Sequence, residues 1–207
     1  MNSGALLAVL LALTAADEPA RIVYTKSFPG SNPAYVNIVL DEQGHGEYRE
    51  DPDDDSPLRF RLGQAETREI FALAEKLDRF GRPLEANLKV AFTGHKIFRY
   101  ERGSLRQEVK FNYSTDPDAR ALLDWFERIT ETERIWLNLE RTAKYDRLGV
   151  NQVLLELEVA YDRKRLVAPQ QFLNLLERIA GNMAFLNIAR DRAARLAEAF
   201  AAAQAKP

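Results

Sequence analysis

Two histidines and one acidic run are the residues of this chain best suited to chemistry. His45 stands in "GHG" and His95 in "TGH", while Asp51, Asp53 and Asp55 belong to "DPDDDSP". An imidazole can ligate zinc or move protons near neutral pH. Alternating aspartates can open a calcium loop. The aspartates mimic positions 1, 3 and 5 of such a loop. Position 6 is Ser56 where glycine is needed, and position 12 is Leu62 where a bidentate glutamate is needed. With Pro52 and Pro57 bracketing it, the run reads as a solvated turn. Each histidine follows a glycine in a predicted turn, and no His-x-x-x-His or Glu-x-x-His spacing accompanies either. Asp41 and Glu42 are the nearest acids should the two turns meet. No serine sits in a nucleophile elbow, and no glycine-rich phosphate loop occurs. The sequence therefore nominates no catalytic residue, no metal site and no cofactor. His45, His95, Asp51, Asp53 and Asp55 remain the candidates for a metal or hydrolytic centre.

The composition narrows the function classes. The 207 residues are 46% hydrophobic and 29% charged, with a net charge of −2 and no cysteine. Without a basic excess the chain is a poor ligand for a phosphate backbone, so nucleic acid is not expected as a partner. Without cysteine there is no disulfide, thiolate zinc site or thiol nucleophile. The apolar stretch Ala5 to Leu13 is too short to span a bilayer, which takes about 20 apolar residues. It fits the core of a secretory signal at 1–16, with Thr14 and Ala16 before the polar start "DEPAR". A periplasmic or secreted location is expected, with no membrane span after cleavage.

The elements follow from periodicity. Residues 17–34, with two prolines and a glycine in "SFPGSNPAY", read as an irregular lead-in. "YVNIVLD" and "LRFRL" alternate as strands, joined by "EQGHG", a returning "EYRE" and the acidic turn. Ile70, Leu73, Ala74 and Leu77 then mark a helix over 64–80. The plan recurs as strands "LKVAF", "KIFRYE" and "LRQEVKFNY" before a helix opened by Asp116 and Pro117. "GHGEYR" at Gly44 and "GHKIFR" at Gly94 give the same glycine, histidine, aromatic and arginine spacing, which points to an internal repeat, 35–80 and 88–130. From Asp116 onward the chain reads as helical. Leu122, Trp125, Ile129, Trp136, Leu139 and Ala143 form one stripe. A second begins at Val150, and a third helix runs from Pro169 through Met183 and Leu186. The expected fold is α+β: two β-β-β-α units forming an antiparallel sheet packed on helices over 35–147, then a helical region at 148–203 and a short tail at 204–207. The long helix is expected to belong to both parts.

The outward residues of the strands, Arg59, Arg61, Arg99, Glu101, Glu108 and Lys110, carry both signs. Cross-strand ion pairs on a wet face account for them. A rigid, arginine-rich face is also a candidate surface for a protein partner.

The pattern from "VNIVLDEQGHGEYRE" to "STDPDARALLDWFERI", residues 35 to 130, resembles small exported bacterial α+β domains of unknown function. That resemblance carries no catalytic signature and implies an envelope protein without known enzymatic chemistry. The reading is thus an exported, non-enzymatic interaction or structural module of the bacterial envelope. A hydrolase or metal enzyme centred on His45 and His95, and a cation binder using Asp51 to Asp55, are the alternatives. The sequence specifies neither the partner nor the oligomeric state.

Overall fold

The computed structural model describes residues 18–204, so the apolar leader expected at 1–16 and the last three residues lie outside the described part. Six strands form one antiparallel sheet. They are β1 (Arg21–Ser27), β2 (Tyr35–Asp41), β3 (His45–Arg49), β4 (Leu58–Arg61), β5 (His95–Arg102) and β6 (Leu105–Phe111), in the order β4-β3-β2-β1-β5-β6. The helices are α1 (Gln64–Lys76), α2 (Pro117–Tyr145), α3 (Val150–Asp162), α4 (Leu173–Gly181) and α5 (Asn187–Gln204). The fold is α+β, with a helical C-terminal region.

Alternation places Val36, Ile38 and Leu40 of β2 on the inner face, beside Ile22 and Tyr24 of β1 and Phe98 and Tyr100 of β5. Ile70, Leu73, Ala74 and Leu77 from α1 and its end, with Ala119, Leu122, Phe126 and Ile129 from α2, close this core from one side. Burying each of the larger aliphatic or aromatic groups contributes roughly 1.5–3 kcal/mol. Asp116 caps α2 by accepting hydrogen bonds from the Asp118 and Ala119 amides at 2.9 and 3.1 Å, and Pro117 occupies the first turn. Partial burial works against the Asp116 charge. The hydrogen bond from Arg82 at 2.6 Å and the two helix amides outweigh it and hold the carboxyl below its ordinary range.

Helix α2 is 29 residues long, about 43 Å at 1.5 Å per residue. Its first half serves the sheet core. Its second half contributes Ile135 and Leu139 to a separate core with Leu154, Leu157, Leu176, Ile179 and Phe200 of α3, α4 and α5. The connection after α3 ties the two together. Val167 and Ala168 enter the sheet core, and the Val167 amide donates to Thr132 Oγ1 of α2 at 3.1 Å.

Several elements differ from the sequence expectation. Residues 21–27, expected within an irregular lead-in, form a central strand. Ile22, Val23 and Tyr24 are all buried, so β1 shows a short continuous apolar run and no alternation. Residues 88–92, expected as a strand, form none. The inner flank of β5 is already paired with β1 and its outer flank with β6, so Leu88, Val90 and Phe92 are left exposed. Helix α1 stops at Lys76, followed by a left-handed turn in which Asp78, Arg79 and Phe80 all have positive φ. Burial of Phe80, stacked on Phe98 at 5.3 Å, accompanies that strained backbone. The third expected helix is broken at 182–186, where Met183 and Leu186 are exposed.

The strand order makes two equivalent halves. β2, β3 and β4 lead into α1, and β1, β5 and β6 lead into α2, so β1 holds the place that 88–92 was expected to fill. In register, Tyr48 opposite Leu58 corresponds to Phe98 opposite Val109, and Gly46 opposite Phe60 to Lys96 opposite Phe111.

Candidate functional site

The two histidines do not meet. His45 starts β3 beside Asp41, at the end of the sheet where Arg21 pairs with Asp41 and Glu101. His95 starts β5 opposite Ser27, at the other end of β1. Six residues along a strand and three strand spacings across separate them by more than about 20 Å. The Asp41 carboxylate accepts hydrogen bonds from the Gln43 and His45 amides, each at 2.9 Å, and lies 3.0 Å from His45 Nδ1. Asp41 and its neighbours thus build the β2–β3 turn. The ring of His95 packs edge-on against Phe92 at 4.8 Å. A hydrolytic or metal centre using both histidines therefore has no common location.

The acidic run is also turn chemistry. Asp51 accepts from the Asp53 amide at 2.9 Å and Asp54 from the Ser56 amide at 2.8 Å, the pattern of successive Asx turns. Asp51, Asp53 and Asp55 are exposed. Among the described residues no group of three or more His, Cys, Asp or Glu side chains is placed to hold a metal ion.

The outward face of the sheet gathers all six residues expected there. Arg99 lies 2.9 Å from Glu101 and 3.5 Å from Glu108, and Arg59 lies 3.8 Å from Glu47. Arg61 on β4 and Lys110 on β6, at the two opposite edges, carry no ion pair among the described residues. With Arg21, Arg49 and Arg106 the face holds seven basic residues, against the four acids Asp41, Glu47, Glu101 and Glu108. The chain as a whole is acidic, at −2, so this is its basic side. A small aliphatic centre of Val23, Val39 and Ile97 sits among these charges. The helices whose residues build the sheet core lie against the opposite face.

A second feature comes from residues the sequence did not single out. A cleft of about 360 Å³ opens between β1, the β1–β2 loop, α2 and α3. Tyr24 and Lys26 of β1 line it, with Asn32 of the loop, Glu127 and Arg134 of α2 and Glu156 of α3. The Tyr24 side chain is buried and its hydroxyl has no hydrogen-bond partner among the described residues. Burial, reinforced by the Glu127 carboxylate, pushes that phenol well above its ordinary range, so it remains a neutral donor. Across the strand pair from Lys26, Lys96 is buried, and desolvation followed by the Lys26 charge lowers its pKa. Its ammonium donates to Thr93 Oγ1 at 2.9 Å and to the Asn112 carbonyl at 2.8 Å. Further along α2, Glu133 is buried. Its Oε1 accepts from Gln171 Nε2 at 3.0 Å, and its Oε2 has no partner among the described residues. Burial raises its carboxyl to about 7, against a smaller opposite effect of the Gln171 hydrogen bond. The sequence signal that could have found Tyr24 and Lys26 is the β-prone run "RIVYTK", whose apolar residues are too few and too continuous to show a period.

No protein-family model, no curated protein and no solved structure matches this chain.

Proposed function

We propose that the protein is a non-enzymatic interaction module of the bacterial envelope, binding an acidic partner across the outward face of its sheet. The observation that carries this reading is that face: arginine-rich, net basic on an acidic chain, and organised around Val23, Val39 and Ile97. Interfaces enrich arginine around an apolar centre, and complementary charge accelerates and orients docking. The separation of His45 from His95 takes away the enzyme alternative's shared site. Export is part of the proposal and is supported by the apolar stretch from Ala5 to Leu13 before "DEPAR". The pattern of residues 35–130 is in keeping with it.

The test uses a poly-L-glutamate chain as the acidic probe, followed by backbone amide shifts at low and physiological salt. Saturable shifts confined to the strands of the sheet, β4 and β6 included, that weaken with salt are expected, because exposed charges are screened. The triple variant Arg59→Glu, Arg61→Glu, Lys110→Glu should lower affinity at least about tenfold, or roughly 1.4 kcal/mol. Undetectable binding at low salt, or binding indifferent to the triple variant, overturns the reading.

A further inference from the structure

We infer that β6 is a self-association edge, along which two copies of this chain pair antiparallel about a two-fold axis at Gln107. The sheet ends at β4 on one side and at β6 on the other, and among the described residues neither outer edge is paired with a further strand. Exposed edges template other strands, and proteins blunt those they do not use. β4 is blunted. It has four residues, follows Pro57 and carries Arg59 and Arg61 outward, so any two-fold pairing along it opposes arginines. β6 is not shortened. Its seven residues, Leu105–Phe111, contain no proline and run in unbroken register with β5. Its outward charges alternate in sign: Arg106, Glu108, Lys110.

The β5–β6 turn fixes which backbone groups the edge offers. Arg102 pairs with Leu105 across Gly103 and Ser104, and Gly103 has a φ of +56°. A two-residue hairpin is closed by a hydrogen-bonded pair, and such pairs alternate along the ladder. Leu105, Gln107, Val109 and Phe111 therefore bond to β5, while the amides and carbonyls of Arg106, Glu108 and Lys110 point outward. The next outward amide, of Asn112, donates to Glu85 Oε2 at 2.6 Å, and the Tyr113 carbonyl accepts from the Ala86 amide at 2.8 Å. The open edge is thus 106–110. Charge and this plug select the register. Centred on Glu108, two-fold pairing opposes Glu108 to its own copy and Arg106 to Lys110. Centred on Arg106, it opposes arginines. Centred on Val109, it opposes Glu108 to Lys110 but runs the second copy's Arg106 into the place of Glu85. Centred on Gln107, it sets Arg106 against Glu108 at both ends, with their outward backbone groups facing each other. Opposite charges across a strand pair stabilise it and like charges destabilise it. Arg106 lies 3.9 Å from Glu101 and Glu108 lies 3.5 Å from Arg99, long contacts that leave both side chains free to pair across the edge. On the inner face the same register sets Leu105, 37% exposed in the single chain, against Val109 of the second copy. The two six-stranded sheets become one, with both outward faces on the same side.

Sedimentation equilibrium reads the association. One strand per copy makes a small interface, so the range from about 10 µM to 1 mM is the one to cover. The protein should move from monomer toward dimer across it. Arg106→Glu and Glu108→Arg each set like charges against one another at both ends, and each should weaken the dimer at least about tenfold. Mixing the two variants restores both opposite-charge pairs, so the mixture should dimerise where neither variant does alone. The double variant Arg106→Glu, Glu108→Arg should also dimerise. This complementation separates edge pairing from any change in folding. The chain has no cysteine, so Gln107→Cys places a single thiol at the two-fold axis. Opposed Cα atoms of a non-hydrogen-bonded pair lie about 4.5 Å apart, within disulfide reach. Mild oxidation should cross-link Gln107→Cys and leave Arg61→Cys, on the opposite edge, monomeric. No acidic probe is present, so none of these outcomes bears on binding at the outward face. A protein still monomeric at about 1 mM overturns the inference and leaves the edge to a strand of another protein. So does a dimer indifferent to the charge variants, a mixture no better than its components, or equal cross-linking at the two cysteines.

Discussion

The two halves of the sheet place different side chains in one backbone position. In the β3–β4 hairpin Gly46 stands opposite Phe60, and the Phe60 ring lies over the glycine so closely that a Cβ there would sit 2.1 Å from Phe60 Cζ. In the β5–β6 hairpin the corresponding pair is Lys96 and Phe111. There the ring leans onto Phe98, with centroids 5.1 Å apart, and a buried lysine stem occupies the inner face. The strand pairing defines a volume that must be filled. One half fills it with a ring borrowed from across the hairpin. The other fills it with a long aliphatic stem whose ammonium reaches Thr93 and Asn112 at the edge. The backbone plan is shared while the chemistry at its centre is not.

The largest effect should come from breaking this difference directly. Gly46→Val forces the Phe60 ring out of its position and should destabilise by about 3 kcal/mol, as overpacked cores do. Urea denaturation measures it. A loss under about 1 kcal/mol would show that the two hairpins tolerate one another's packing.

Buried charge sharpens the contrast next. The Lys96 ammonium has two acceptors, whereas the Glu133 carboxylate has one donor and an unpartnered oxygen. A carboxyl raised to about 7 from 4.5 binds its proton more tightly in the folded protein than in the unfolded chain. Stability should therefore fall as pH rises from about 4.5 to 7 and stay reduced above that, by up to about 3 kcal/mol. Glu133→Gln should remove this component, and denaturation at pH 5 and pH 8 compares the two proteins. Equal pH dependence in wild type and variant would show that Glu133 does not carry it.

The positions preceding the two histidines come third. Gly44 and Gly94 have φ of +86° and +102°, so both halves require glycine where β3 and β5 begin. A Cβ on Gly94 would lie 2.7 Å from Phe28 Cβ and 2.9 Å from the Ser27 carbonyl oxygen. Gly94→Ala should cost about 2 kcal/mol, combining backbone strain with that crowding. A thermal melt within experimental error of wild type would contradict it.

The smallest effect is expected at the histidines themselves. His45→Ala and His95→Ala should each change stability by about 0.5 kcal/mol or less, as exposed substitutions do. Zinc should leave the melting temperatures of wild type and the double variant alike. A zinc-dependent rise lost in the double variant would restore the metal-site reading.

Much of this was legible in the sequence. Alternation identified β2 and β4, the recurring strand-turn plan β6, the Gly-His correspondence aligned β3 with β5, and Asp116 with Pro117 marked the start of α2. These signals are local: face burial imposes a period, and caps satisfy orphan amides within a few residues. Which segment pairs with which is not local. "LKVAF" has the strand pattern but lost its place to "RIVYTKS", because β5 has only two flanks and β1 occupies the inner one. The same tertiary choice put His45 and His95 at opposite ends of the sheet and assembled the Tyr24 cleft from segments about 130 residues apart. Composition and periodicity by themselves determined the class of fold, the turns and the absence of thiol chemistry. Strand order, the buried carboxylate on α2 and the location of any binding site were decided by long-range packing, because each depends on contacts that no sequence neighbour makes.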